Sequence, residues 1–343
     1  MTDDRLLRFA EAACQSADST GRIAQIMRRA SDQLLRIAAL GGSVTYGYNE
    51  TGAVIPYPEL LCRLLPFQTV LRNFAISGTD SYLGLLLTAR DMPQFAPDLV
   101  ILEYAVNQGV TREMVSVYEG LIYRLLTLPS APAVITVMCV NRLGYTSENC
   151  LAHVARHYGL PVISVRDGLK TFAWDEYSSD DIHPNEDGQA MLAQAICTAM
   201  MKSEPKRSFE IPDAPCLDRD ASALRLCDLH AGNGGFFSPV PFLTAFGASD
   251  AVILQSGSDT YTLRVKGDTV ILFFRQSSDP DTADALLTVD DCAAIRLQAA
   301  CLSGWGNPAA VRIIPQNHLT THTLRFQRDG KKGRFVLWAV AAF

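Results

Sequence analysis

Apolar residues in the first part of the chain fall into short dense runs. Five of them, at 34–42 (LLRIAALGG), 69–77 (TVLRNFAIS), 98–106 (DLVILEYAV), 131–140 (APAVITVMCV) and 160–165 (LPVISV), read as strands. They are rich in Val, Ile and Leu on both faces, as parallel strands covered by helices on either side must be. Between them the spacing turns helical, at 56–65, 112–126 and 148–159, and 185–203 supplies a last helix. The first thirty residues read as one or two helices ahead of the first strand. Strand–helix alternation with short links predicts an α/β fold, a doubly wound parallel five-stranded sheet, over residues 1–205.

The pattern then changes. Residues 206–216 are charged and proline-bearing and read as a linker. From 217 to 343 the runs are short and strand-like, at 250–255, 261–267, 268–276, 284–290, 309–315, 322–328 and 333–343. Turn residues punctuate them at the spacing of an all-β sandwich.

Composition narrows the partners. The chain has 343 residues, 48% hydrophobic and 19% charged, enough for two apolar cores. A net charge of −6 argues against nucleic acid, which calls for clustered Lys and Arg. The basic clusters are short, Arg28-Arg29 and Lys331-Lys332 beside Arg328 and Arg334, and read as solvated turns. No apolar run approaches the roughly 20 residues of a membrane span, so no membrane partner is expected. The N-terminus is acidic and then amphipathic, without the features of a secretory signal. Nine scattered cysteines include no CxxC pair, and Cys62, Cys139 and Cys197 sit in apolar runs. Buried thiols in a reducing compartment fit this best, which places the protein in the cytoplasm.

Four blocks carry candidate chemistry. Gly41-Gly42-Ser43-Val44-Thr45-Tyr46-Gly47 follows the first strand. Ligands of open parallel sheets bind at the carboxyl ends of strands, and a serine in such a turn exposes its hydroxyl there. Its N–H lies near a helix start, where negative charge is favoured. Gly78, after the second strand, lets the backbone approach a bound group, and Asn107, after the third, adds an amide donor. Asp180-Asp181-Ile182-His183-Pro184 precedes the last helix. The proline pushes His183 into extended geometry, and Asp180, three residues upstream, can turn its carboxylate onto the imidazole. Each block alone is compatible with ordinary turn chemistry.

Taken together and in this order, the blocks resemble the SGNH (GDSL-type) serine hydrolase superfamily over roughly the first 205 residues. The resemblance implies Ser43 as nucleophile, His183 as base, Asp180 as its acid partner, and an oxyanion hole of the Ser43 and Gly78 N–H groups and the Asn107 amide. It implies acyl transfer through an acyl-enzyme, with no cofactor and no metal. Two positions depart from the family pattern. Gly42 stands where Asp is usual before the serine, and Gln108 where Asp is usual after the asparagine.

The two-domain layout also resembles a narrower group, gut-bacterial carbohydrate esterases with a C-terminal jelly roll of carbohydrate-binding type. Members deacetylate mannan oligosaccharides, with the second domain leaning over the active site. That resemblance implies an acetylated oligosaccharide substrate, of the mannooligosaccharide class. Trp305, in the glycine-rich turn Ser303–Pro308, offers a stacking face for sugar or a cap on the sandwich core. Trp174 walls the active site or packs beneath the Asp-His loop. Tyr46, next to the serine turn, is a further candidate for substrate contact, while Trp338 reads as core. Self-association through the sandwich stays open. His153 and His157 lack a third metal ligand, the GGSVTYG turn lacks a P-loop lysine, and Asp279, Asp281, Asp284, Asp290 and Asp291 do not have EF-hand spacing. Two other readings remain: a thioesterase or lipid esterase on the same fold, and a non-catalytic sugar-binding protein.

Overall fold

The structure, a computed structural model, describes residues 3–49, 52, 54–206, 209–241, 248–315, 320–330 and 332–343. The chain divides into two compact units, Met1–Ser222 and Ala223–Phe343.

The first unit opens with α1 (Asp3–Ala13), a short strand β1 (Cys14–Ser16) and α2 (Arg22–Arg29). There follow β2 (Leu35–Gly41), α3 (Ser43–Tyr46), α4 (Tyr57–Leu64), β3 (Thr69–Asn73), α5 (Ser81–Arg90) and α6 (Met92–Phe95). The unit continues with β4 (Leu99–Glu103), α7 (Arg112–Leu126), β5 (Ala133–Met138), α8 (Glu148–His157), β6 (Val162–Ser164), α9 (Val165–Gly168) and α10 (Glu186–Met201). The sheet order is β1-β6-β5-β4-β2-β3. The five expected strands are all present and parallel. A sixth, β1, pairs antiparallel with β6 at the edge. Its three residues (CQS) are too short and too polar to show as a strand run. Every residue of β4 and β5 is buried, which is why these strands lack alternation.

The chain winds from β2 to β3 on one side, then returns to place β4, β5 and β6 on the other. The order therefore reverses between β2 and β4, leaving a crevice at their carboxyl ends, where ligands of such sheets bind. In register, Gly41 at the end of β2 faces Glu103 at the end of β4.

The boundary between units falls after Ser222, a few residues beyond the expected start of the second domain at 217. The reason is Glu119 of α7. Its buried carboxylate accepts the N–H groups of Cys216, Leu217 and Asp218 at 2.6, 2.6 and 3.0 Å. These bonds fasten the end of the expected linker to the first unit. Residues 207 and 208 of that linker, and Lys331 of the basic cluster, lie outside the described residues.

The second unit is a pair of antiparallel sheets around one core. One sheet has the order β15 (Trp305–Ile313), β12 (Val270–Ser277), β17 (Phe335–Ala342), β10 (Ala248–Leu254) and β9 (Phe236–Pro241), with β7 (Arg225–Leu226) on β17. The other runs β14 (Ile295–Leu297), β13 (Ala285–Val289), β16 (Thr321–Arg328), β11 (Thr260–Lys266) and β8 (Asn233–Gly234). Leu272, Phe274, Leu287, Leu324, Phe326 and Leu337 are among the residues that fill the space between them. All seven expected strand runs are strands. The short or proline-bearing ones were not legible. Three of these, β8, β9 and β14, lie at sheet edges, where the prolines of β9 cost no ladder bond. No cysteine is bonded to another; Cys139 and Cys197 are buried, Cys62 is half-buried and Cys292 is exposed. No described helix is long and apolar enough to cross a membrane.

Candidate active site

The turn after β2 sets the nucleophile. Gly42 is extended and Ser43 opens the four-residue helix α3, which ends at Gly47 with φ +90. Side chains from three other elements tie this helix down. Asn73, at the end of β3, donates to the Thr45 carbonyl at 2.8 Å. Gln189 of α10 donates to the Val44 carbonyl at 3.2 Å and accepts the Tyr57 N–H at 2.8 Å. Glu103, at the end of β4, accepts the Thr45 hydroxyl at 3.0 Å and the Gly42 N–H at 3.4 Å. Ser43 is thus presented by a rigid turn and is only 8% exposed.

The loop before α10 brings the imidazole to it. His183 Nε2 lies 3.0 Å from Ser43 Oγ, and His183 Nδ1 lies 2.9 Å from Asp180 Oδ2. The other oxygen of Asp180 accepts the backbone N–H groups of Ile182 and His183 at 2.7 and 2.6 Å. Burial of Asp180 acts to raise its pKa, but these donors outweigh it and hold the carboxyl below its usual range. An ionised Asp180 on Nδ1 fixes the tautomer that leaves Nε2 free to accept from the serine. The loop is closed by a bridge between Ser178 and Pro184, and the Ser178 hydroxyl lies 2.6 Å from the His183 carbonyl.

Trp174 belongs to this scaffold. Its indole N–H donates to the Asp180 carbonyl at 2.7 Å, and its ring packs edge-on to Tyr177. Of the two roles open to it, wall or packing beneath the loop, the structure favours packing: Trp174 is half-buried against the core of the unit.

The oxyanion candidates Gly78 and Asn107 lie in the loops after β3 and β4. Gly78 is exposed with φ +73, a conformation that suits glycine, and nothing lies within 4 Å of where a Cβ would sit. The Asn107 amide donates to the Thr79 carbonyl at 3.0 Å. Gln108, fully buried, accepts the Ser81 N–H at 3.0 Å and donates to the Met114 carbonyl at 2.8 Å. Asn107 and Gln108 thus hold the chain just after Gly78, at Thr79 and Ser81. A neutral amide suffices for this, which accounts for Gln108 where the family usually has Asp. Gly42 has a reason too: a Cβ there would sit 2.2 Å from Asn107 Nδ2. In this chain the asparagine occupies the space that the usual aspartate would need.

Tyr46 is 54% exposed and so open to a ligand. Tyr48, not foreseen from the sequence, is 45% exposed and packs edge-on to the His183 ring, with centroids 4.7 Å apart. Trp305 lies at the start of strand β15 and not in a turn, because the chain resumes pairing with β12 at Ser277 across a register shift. It is 55% exposed and outside the sandwich core, so it is not a core cap, whereas Trp338 is buried. Glu103 was also missed as a functional residue. A lone carboxylate inside the apolar run of β4 was the available signal, since buried carboxylates are rare without a specific partner. Among the described residues no three His, Cys, Asp or Glu side chains group to hold a metal ion.

Comparison with known proteins agrees with this geometry. Residues 39–191 match the model of the GDSL-like Lipase/Acylhydrolase family. No curated protein sequence matches the chain. The crystal structure of a two-domain esterase active on acetylated mannans is similar with a TM-score of 0.84 and 24% identity, over 97% of this chain and 98% of that one. The crystal structure of such a two-domain esterase co-crystallised with mannopentaose gives 0.85 and 24%, over 97% of each chain. At that identity the likeness establishes the two-domain fold.

Proposed function

We propose, from the premise that the first unit is an acylhydrolase unit of the GDSL type, that this protein is a serine esterase removing O-acetyl groups from oligosaccharides of the mannooligosaccharide class. The observation that carries the reading is the chain of contacts from Ser43 through His183 to Asp180, at 3.0 and 2.9 Å. His183 takes the Ser43 proton as the oxygen attacks the ester carbonyl. The negative charge that develops on the carbonyl oxygen is met by the Ser43 and Gly78 N–H groups and the Asn107 amide. Collapse of the tetrahedral species expels the sugar alkoxide, which His183 protonates. Water, deprotonated by the same imidazole, then cleaves the acyl-enzyme and releases acetate.

The substrate class is supported by the likeness to a mannan-active esterase and by the exposed Trp305, whose indole suits stacking on a sugar ring. Mass spectrometry of acetylated oligosaccharides after incubation should show successive losses of acetyl, and Ser43→Ala should show none. Retention of full activity by Ser43→Ala would remove the assignment. Trp305→Ala should raise KM for oligosaccharides about tenfold while leaving p-nitrophenyl acetate untouched. Faster hydrolysis of octanoate than of acetate would favour the lipid-esterase reading instead.

A further inference from the structure

Beneath the serine lies a carboxyl group that the acyl-transfer steps do not use. Glu103 is 0% exposed, and no basic side chain among the described residues touches it. The ionisable groups around it are all weak acids: Tyr57 on α4, Tyr104 beside it, Tyr118 on α7, Cys139 after β5, and Tyr177. Its Oε2 meets the Thr45 hydroxyl at 3.0 Å and the Gly42 N–H at 3.4 Å, so it spans the two sides of Ser43. The Tyr57 hydroxyl lies 2.8 Å from the Thr45 hydroxyl. With the Thr45 proton directed at Glu103, Tyr57 donates to Thr45, and the three groups form one buried chain. The Cys139 thiol, a weak donor, is a third hydrogen-bond partner of the carboxyl.

Strand β4 runs beside β2, with Glu103 in register with Gly41. No apolar side chain at 103 could bond both the amide before the nucleophile and the hydroxyl two residues after it. We propose that Glu103 is a positioning residue for the hydrolase reaction, clamping the Gly42–Thr45 turn so that Ser43 Oγ stays in reach of His183. This rests on the proposed reading of Ser43 as the nucleophile. Burial, opposed by the Thr45, Gly42 and Cys139 donors, pushes the carboxyl up to about 7.

The test compares Glu103→Leu, which removes the acceptor, with Glu103→Gln, which keeps one. Two quantities are read: the rate at which a fluorophosphonate labels Ser43, and kcat and KM on p-nitrophenyl acetate. Glu103→Leu should slow labelling and lower kcat by about tenfold or more with KM within about twofold, because displacement of a reacting atom is felt in the chemical step. Glu103→Gln should recover most of both. A folded Glu103→Leu that labels at the wild-type rate overturns the proposal, as does a Glu103→Gln no better than Glu103→Leu. If Glu103→Leu does not fold, Thr45→Val against Thr45→Ser asks the same question of the same chain of bonds. Ser43→Ala is the control: labelling that survived in it would sink the nucleophile assignment, a result distinct from failure of the clamp.

Discussion

The rim of the crevice and its floor each hold a carboxyl group, and the two are treated in opposite ways. At the rim, Asp180 sits in a short loop where two backbone N–H groups and an imidazole converge on it, and it is held ionised. At the floor, Glu103 meets the Thr45 hydroxyl, the Gly42 N–H and the Cys139 thiol, is surrounded by weak acids and is driven towards the neutral form by burial. The same functional group is thus held towards its charged form in one place and shifted towards its neutral form in the other. Local donor density decides which, more than the residue type does.

The largest expected effect sharpens the rim. Asp180→Asn should keep the fold but lower kcat by about 10³- to 10⁴-fold, since an amide cannot hold the required tautomer. Steady-state kinetics that showed a loss below about tenfold would remove the contrast between the two carboxyls.

Gly42→Ala tests the link between rim and floor. The added methyl meets the Asn107 amide and should displace it, costing about 10²-fold in kcat with little change in KM, the cost of an oxyanion donor. Kinetics at the wild-type level would mean that Asn107 has no part in the transition state.

Stability against pH separates the two groups by sign. Glu103 has a folded value near 7 against an ordinary 4.5, so the folded state holds the proton more tightly. Its contribution is therefore a loss of stability as pH rises from below 4.5 through about 7, of the order of 3 kcal/mol at most. Glu103→Gln should flatten that loss in urea melts between pH 5 and 8. Asp180 is depressed, so its contribution is present above its ordinary 3.8 and is lost as pH falls through the folded value. Asp180→Asn should flatten only the acid limb. Equal effects of both variants on the same limb would break the comparison.

The smallest effect concerns the support of the rim. Trp174→Phe removes the donor to the Asp180 carbonyl and should cost about 1 kcal/mol of stability, with a few-fold fall in kcat. No change in either on thermal melting and kinetics would make the indole mere filler.

Much of this site was legible before any coordinates. Asp180 and His183 stand three apart ahead of a proline, so local geometry nearly dictates their contact. Ser43, Gly78 and Asn107 each follow a strand within a few residues, and strand ends in a wound sheet share one rim. Glu103, Gln189 and Tyr48 were not legible as functional residues. Their partners lie far off in the sequence, and a carboxylate in an apolar run, a glutamine in a helix or a tyrosine in a turn has many ordinary uses. For Trp305 and Trp174 the sequence admits two roles each, because exposure and burial of an indole depend on what the rest of the chain brings against it.

The pattern of apolar runs determined by itself that the chain makes a wound parallel sheet and then a sandwich, because side-chain periodicity is a property of neighbours a few residues apart. Spacing and order also determined which serine, histidine and aspartate to bring together. Only the tertiary structure decided that a buried glutamate lies under the nucleophile, that a tryptophan holds the acid loop from below, and that glycine at 42 makes room for an amide. Those outcomes depend on distances between separate elements, and such distances are set when the elements pack.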